Sequence, residues 1–189
     1  CIRFKTNENL GEEGYEIEVD DRQISLSAAT EKGMFYAIQT FFQLLPAEIE
    51  SAKPLKMKLS VPAVKIADHP RFSYRGVMID VSRHFFTVEE LKKQISVMAM
   101  LKLNRLHLHL TDNQGWRIAI DKYPQLVEYS AVQETYNEEL YGPCYYTKED
   151  IKELVAYADR HHIEVIPEIE FPGHLSLIHI SEPTRRTPI

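Results

Sequence analysis

No apolar run in this 189-residue chain approaches the ~20 residues that a membrane-spanning helix needs, so the sequence holds no such segment. Basic residues are outnumbered by acidic ones. With 22 Lys and Arg against 28 Asp and Glu, and no basic stripe interleaved with aromatics, a general nucleic-acid binder is excluded. The two cysteines, Cys1 and Cys144, form neither a metal-ligand spacing nor a disulfide framework, and they leave the redox compartment open. No signal peptide is present, but the chain opens on Cys rather than Met, so nothing follows about targeting. What is there is ordinary globular material: 44% apolar residues, enough for a packed core.

The first third reads as the end of a small α+β domain. Tyr15, Ile17 and Val19 alternate on one face, and Ile24, Leu26 and Ala28 on another, about a turn at Asp20-Asp21. That pattern predicts two antiparallel strands. From Thr30 the period becomes helical, with Met34, Ile38, Phe41 and Leu45 on one stripe that stops before Pro46. Residues 47–68 hold an alternating KMKLSV stretch between Pro54 and Pro62, which predicts a last strand plus a connector.

From Phe72 the order becomes strand, helix, strand, helix, strand. VMIDV is the first strand, and the T-x-x-E box of Thr87 and Glu90 caps a helix striped by Val88, Leu91, Ile95, Met98 and Leu101. RLHLHL is the second strand, followed by a loop rich in Tyr and Glu, whose stretch 136–146 reads as a pocket rim or as plain surface. Thr147 and Asp150 cap a helix that buries Ile151, Leu154, Val155 and Ala158, and IEVIPEIE is the third strand. Strands alternating with helices predict a parallel α/β sheet, with 77–81, 106–111 and 163–169 adjacent.

In such a sheet ligands collect at the carboxyl ends of the strands, and here those ends are polar. Arg83 closes the first, Asp112 the second, and Glu170 with His174 the third. A guanidinium donates in a planar fork and a carboxylate accepts, which suits sugar hydroxyls; the plainer reading is a set of ion pairs tying strand ends together. Glu170 can orient the His174 imidazole. Trp116 either lines a sugar pocket or packs under the long loop. His107 and His109 share the face opposite Leu106, Leu108 and Leu110. An H-x-H pair on a barrel strand can hold a metal, but no acidic or Cys residue stands at ligand spacing nearby, which favours hydrogen-bonded interior histidines. His161-His162 fits a helix C-terminal dipole better than a metal, and Glu149, Asp150 and Glu153 fit a solvated helix face.

Three segments carry a family resemblance: DHPRFSYRGVMIDVSRHFF, LKLNRLHLHLTDNQGWRIAIDKYPQL and VIPEIEFPGH. Together they resemble glycoside hydrolase family 20, the β-N-acetylhexosaminidases, over residues 66–174. More loosely, EEGYEIEVDDRQISLSAATEKGMFYAIQTFFQLLP resembles the α+β domain that precedes that family's catalytic barrel. The resemblance implies a (β/α)8 TIM barrel that removes terminal N-acetylglucosamine or N-acetylgalactosamine with retention, the substrate's acetamido oxygen being the nucleophile. It implies that Arg83 binds the sugar's distal hydroxyls with Asp112 supporting that site, and that His174, partnered by Glu170, lies beside the reacting sugar. Glu170 stands where Asp is frequent in the family, and Asn113 where a second Asp is common. No cofactor or metal is implied; the partner is a glycan or glycoconjugate with a terminal N-acetylhexosamine, in a secreted, periplasmic or lysosomal setting.

The family's catalytic pair is an adjacent Asp-Glu after the fourth strand, and nothing after His174 resembles it. Glu89-Glu90 and Glu149-Asp150 fall in helices, so no catalytic acid is assigned in this chain. Residues 175–185, LSLIHISEPTR, are what the codons of a widely used transposon sequencing adaptor translate to. The expected organisation is therefore a partial α+β domain at 1–66, the first three strands of a barrel at 67–174, and a non-native tail at 175–189. Two other readings remain at this point: a non-catalytic sugar-binding module, and a metal-dependent barrel hydrolase using His107 and His109.

Overall fold

A computed structural model describes residues 1–51, 53–54, 56–134, 140–170 and 173. The chain divides into two compact units, Cys1–Arg75 with Ala99–Lys102, and Gly76–Met98 with Leu103–Ile189. Among the described residues no helix is long and apolar enough to cross a membrane.

Among the described residues the first unit is a four-stranded sheet carrying one α-helix. Its strands are β1 (Ile2–Thr6), β2 (Tyr15–Val19), β3 (Ile24–Ala28) and β4 (Val64–Asp68), in the order β1-β3-β2-β4. β2 runs antiparallel to β3, as the alternation predicts, and β1 adds to β3 in parallel. Helix α1 (Glu31–Gln43) starts where the Thr30 side chain accepts from the Gly33 amide. Tyr15, Ile17, Val19, Leu26, Ala28, Tyr36 and Ala37 form the core. Each large side chain there contributes ~1.5–3 kcal/mol by leaving water. Gly33 is needed for close approach, since a Cβ on it would lie 2.6 Å from the Gly14 carbonyl oxygen.

Two expectations need correction here. The buried face of α1 centres on Gly33, Tyr36 and Ala37, with Met34, Ile38 and Phe41 only flanking it. The last strand is Val64–Asp68 rather than KMKLSV. Pro62 lacks a backbone donor, whereas Val64 and Ile66 fall opposite Val19 and Ile17 in the ladder and pack on the core.

Among the described residues the second unit holds three parallel strands, β5 (Gly76–Asp80), β6 (Arg105–His109) and, later in the chain, β11 (Glu164–Glu168), in the order β11-β6-β5. Helix α2 (Val88–Met100) joins β5 to β6. Between β6 and β11 come a small hairpin, β7 (Thr111–Asp112) with β8 (Gly115–Trp116), then α3 (Gln125–Ser130), the short pair β9 (Gln133–Glu134) and β10 (Leu140–Tyr141), and α4 (Lys148–Asp159). Both predicted capping boxes form, at Thr87/Glu90 and Thr147/Asp150. Ser96 meets the Tyr157 hydroxyl at 2.9 Å and Lys92 meets Glu153 at 2.5 Å, so α2 and α4 lie side by side.

Leu106, Leu108 and Leu110 are buried, as are Leu91, Ile95 and Met98 of α2 and Leu154 and Ala158 of α4. Leu101 and Val155, expected inside, are 63% and 44% exposed. Leu101 lies beyond the last turn of α2, and Val155 sits one residue round from the Leu154–Ala158 stripe.

Candidate functional site

The parallel register sets the site. Asp80, His109 and Glu168 are cross-strand partners in one row at the carboxyl ends of β5, β6 and β11, on the face opposite the buried leucines. After β5 the chain turns tightly, and Asp80 Oδ1 accepts from the amides of Ser82 at 3.1 Å and Arg83 at 3.0 Å. This turn aims the Arg83 guanidinium back across the strand ends. One of its nitrogens meets Asp80 Oδ2 at 2.5 Å and the other meets Asp112 Oδ2 at 2.7 Å.

Arg83 and Asp112 therefore come together, as their strand-end positions predict. The Asp112 side chain is almost wholly buried while that of Arg83 is 50% exposed. Two carboxylates fix the fork and its outer edge stays open to solvent. Burial works to raise the Asp80 carboxyl, but hydrogen bonds from Arg83 and the charges of His109 and Arg83 outweigh it and hold it below the usual range. The hydrogen bond to Asp80, reinforced by the charge of Asp112, pushes the Arg83 guanidinium up. At neutral pH both partners are charged.

His109 is nearly buried, and its Nε2 lies 2.8 Å from the Thr111 carbonyl oxygen. A carbonyl only accepts, so that nitrogen carries a proton and Nδ1 faces Glu168, at 3.7 Å. His107 Nε2 meets the same Glu168 oxygen at 2.6 Å. The Glu170 amide donates to Thr111 Oγ1 at 3.0 Å, which ties the end of β11 to that of β6.

The sequence expectation that no acidic group stands near the histidines is overturned, because the fold brings Glu168 across from the neighbouring strand. Donor atoms of His109, Glu168 and Glu170 lie within 4.8 Å of one another, the donor types and spacing that a divalent cation would use. In the geometry seen here, Glu168 is engaged by His107.

The other candidates divide. Trp116 is buried and its indole N–H donates to the Ile118 carbonyl at 2.6 Å, which fits packing beneath the loop better than a pocket rim. His161 Nδ1 meets the Tyr157 carbonyl at 2.8 Å, as a residue at a helix C-terminus should. Glu90 and Asp150 are occupied in their capping boxes. His174, the rest of the 175–189 tail and most of the Tyr-rich loop lie outside the described residues.

Sequence reasoning missed Asp80, Glu168 and Arg117. Arg117 is fully buried behind the Arg83 turn, and its only sequence mark is a charge inside the apolar run WRIAI.

The profile of the glycosyl hydrolase family 20 catalytic domain matches residues 72–188, and that of the family's domain 2 matches residues 1–69. The chain belongs to glycosyl hydrolase family 20. A β-hexosaminidase of Porphyromonas gingivalis is 48% identical over 165 residues, covering 87% of this chain and 21% of that protein. The family 20 β-N-acetylhexosaminidase of Streptomyces coelicolor superposes with a TM-score of 0.88 at 40% identity, over 95% of this chain and 36% of that one. The family 20 exo-β-N-acetylglucosaminidase of Vibrio harveyi, solved with N-acetylglucosamine, gives 0.86 at 37% identity, over 96% and 29%. The chain thus spans between about a fifth and a third of its relatives' length. The family 20 catalytic-domain match runs through the strand-end cluster.

Proposed function

We propose that this chain is part of a retaining β-N-acetylhexosaminidase that removes terminal N-acetylglucosamine or N-acetylgalactosamine from glycans. In this reading residues 67–174 supply the first three strands of a (β/α)8 barrel, residues 1–66 the accessory α+β domain, and 175–189 are non-native. The observation that carries it is the Arg83 fork, held between Asp80 and buried Asp112 at the strand ends. A fixed planar donor with one open edge suits neighbouring sugar hydroxyls, and the carboxylates beside it supply acceptors. Glu170 and His174 would complete the wall beside the reacting sugar.

Chemistry in this scheme uses the substrate's own acetamido oxygen as nucleophile, with an Asp to orient it and a Glu as general acid. Neither is assigned within the 189 residues, so the chain holds sugar-gripping groups without the acid.

The test compares this chain with the product of the uninterrupted gene on a chromogenic N-acetyl-β-glucosaminide. The complete protein should turn over and the 189-residue chain should not, since general acid catalysis alone is worth ~10²–10⁴-fold. Turnover by the chain within about tenfold of the complete protein would contradict the assignment. Metal analysis addresses the reading built on His107 and His109: stoichiometric zinc, with activity lost on chelation, would replace the hexosaminidase scheme.

A further inference from the structure

We infer that Arg117 is the positioning residue of this site: it locks the turn that carries Arg83 and thereby sets how tightly the sugar is held. This rests on the reading of Arg83 as a sugar-binding group.

Burying a guanidinium is expensive unless its donors are satisfied, and Arg117 is 0% exposed. Burial pushes its proton affinity down, yet among the described residues it makes no ion pair with a carboxylate. Its donors go to backbone carbonyls instead. Nε reaches the carbonyls of Val81 at 3.2 Å and Ser82 at 3.3 Å, and Nη2 reaches Ser82 at 2.8 Å. These are the two residues immediately before Arg83. Nη1 binds the carbonyls of Val132 and Cys144, each at 3.0 Å. One side chain therefore ties the Arg83 turn to two distant loop segments.

Gln133 closes the clamp from the other side. Its Nε2 donates to the Arg83 carbonyl at 3.1 Å, while its Oε1 accepts from the Phe85 amide at 3.0 Å and from Arg117 Nη2 at 3.3 Å. The Ser82 hydroxyl donates to the Gly115 carbonyl at 2.6 Å. Gly115 also keeps the space open, since a Cβ there would lie 2.2 Å from the Arg117 guanidinium carbon.

The bonds to Val81, Ser82, Arg83 and Phe85 act on the backbone around Arg83, and none of the set touches its guanidinium. The position of the fork relative to Asp112 therefore depends on them. A lysine could keep the charge but could not reach carbonyls on several segments at once. Arg83 holds parts of the sugar that do not react, so its misplacement weakens ground state and transition state alike. That raises KM and spares kcat.

The test uses the complete enzyme, with Arg117→Lys and Gln133→Leu each made alone and in an Arg83→Ala background. Gln133→Leu removes the second half of the clamp and keeps the buried charge, so it serves even if Arg117→Lys folds poorly. Each single variant should raise KM by about tenfold with kcat within about threefold, and each effect should vanish when Arg83 is absent. Losses that persist unchanged in the Arg83→Ala background would mean a merely structural role and overturn the inference. If Arg83→Ala alone left KM unchanged, the sugar-binding reading would fail first, and the inference with it.

Discussion

At the scale of single residues, the proposed sugar binding turns on Arg83 and Asp112, which meet at 2.7 Å. Asp112→Asn removes the buried charge behind the fork but keeps its shape. Arg83 then keeps Asp80 as its only ion-pair partner among the described residues, with a weaker neutral acceptor at 112, and the half-exposed guanidinium turns toward water. We expect kcat/KM of the complete enzyme to fall ~10–100-fold, the scale of one charge-assisted hydrogen bond, with the thermal midpoint little changed. A second residue-scale prediction concerns Glu13, which meets Arg75 at 3.0 Å and Lys32 at 2.7 Å. Burial works to raise its carboxyl, but the hydrogen bonds and charges of Arg75 and Lys32 outweigh it and lower it to about 2. A carboxyl depressed in the folded state stabilises fully above its unfolded value and loses that contribution as pH falls through the folded one. Stability should therefore drop between roughly pH 4.5 and 2, and Glu13→Gln should flatten that slope in urea melts. The meeting of Arg83 and Asp112 was legible in the sequence because both stand at the carboxyl ends of adjacent strands. Arg117 was not, because most of its partners are backbone carbonyls, those of Val81, Ser82, Val132 and Cys144, which leave no trace in residue type.

At the scale of elements, helices α2 and α4 were legible from their capping boxes, whereas α3, which starts at Pro124 without a side-chain cap, was not. Thr147 shows the reciprocal bonds, accepting from the Asp150 amide at 3.1 Å while its own amide donates to Asp150 Oδ2 at 2.8 Å. Thr147→Ala should cost about 1 kcal/mol and lower the midpoint of this unit by a few degrees in a thermal melt, without altering KM. Strand boundaries were less legible. The second strand ends at His109 because Thr111 and Asp112 leave it to pair with Trp116 and Gly115, a hairpin that alternation alone does not announce. KMKLSV has the alternation of a strand yet forms none, since the ladder selected the run that faces Ile17 and Val19. Glu168 was hidden for a similar reason: only the register of β11 against β6 shows that it meets His107 and His109.

At the scale of the whole molecule, β5 and β11 are the outer strands of the three-stranded sheet. Val77, Met78 and Ile169 are exposed at or just beyond these strands. Edges of this kind invite pairing with other chains. The 189-residue chain should accordingly bind a hydrophobic dye and aggregate at micromolar concentration, whereas the complete protein should do neither; a clean monomer in light scattering would count against the three-strand barrel reading. Docking of a terminal N-acetylhexosamine on the Arg83 fork would be visible in a crystal structure of the complete protein with N-acetylglucosamine. The Arg83 guanidinium should lie ~2.7–3.2 Å from ring hydroxyls, with Asp112 still paired behind it. A sugar bound elsewhere, with Arg83 engaging only Asp80 and Asp112, would contradict it.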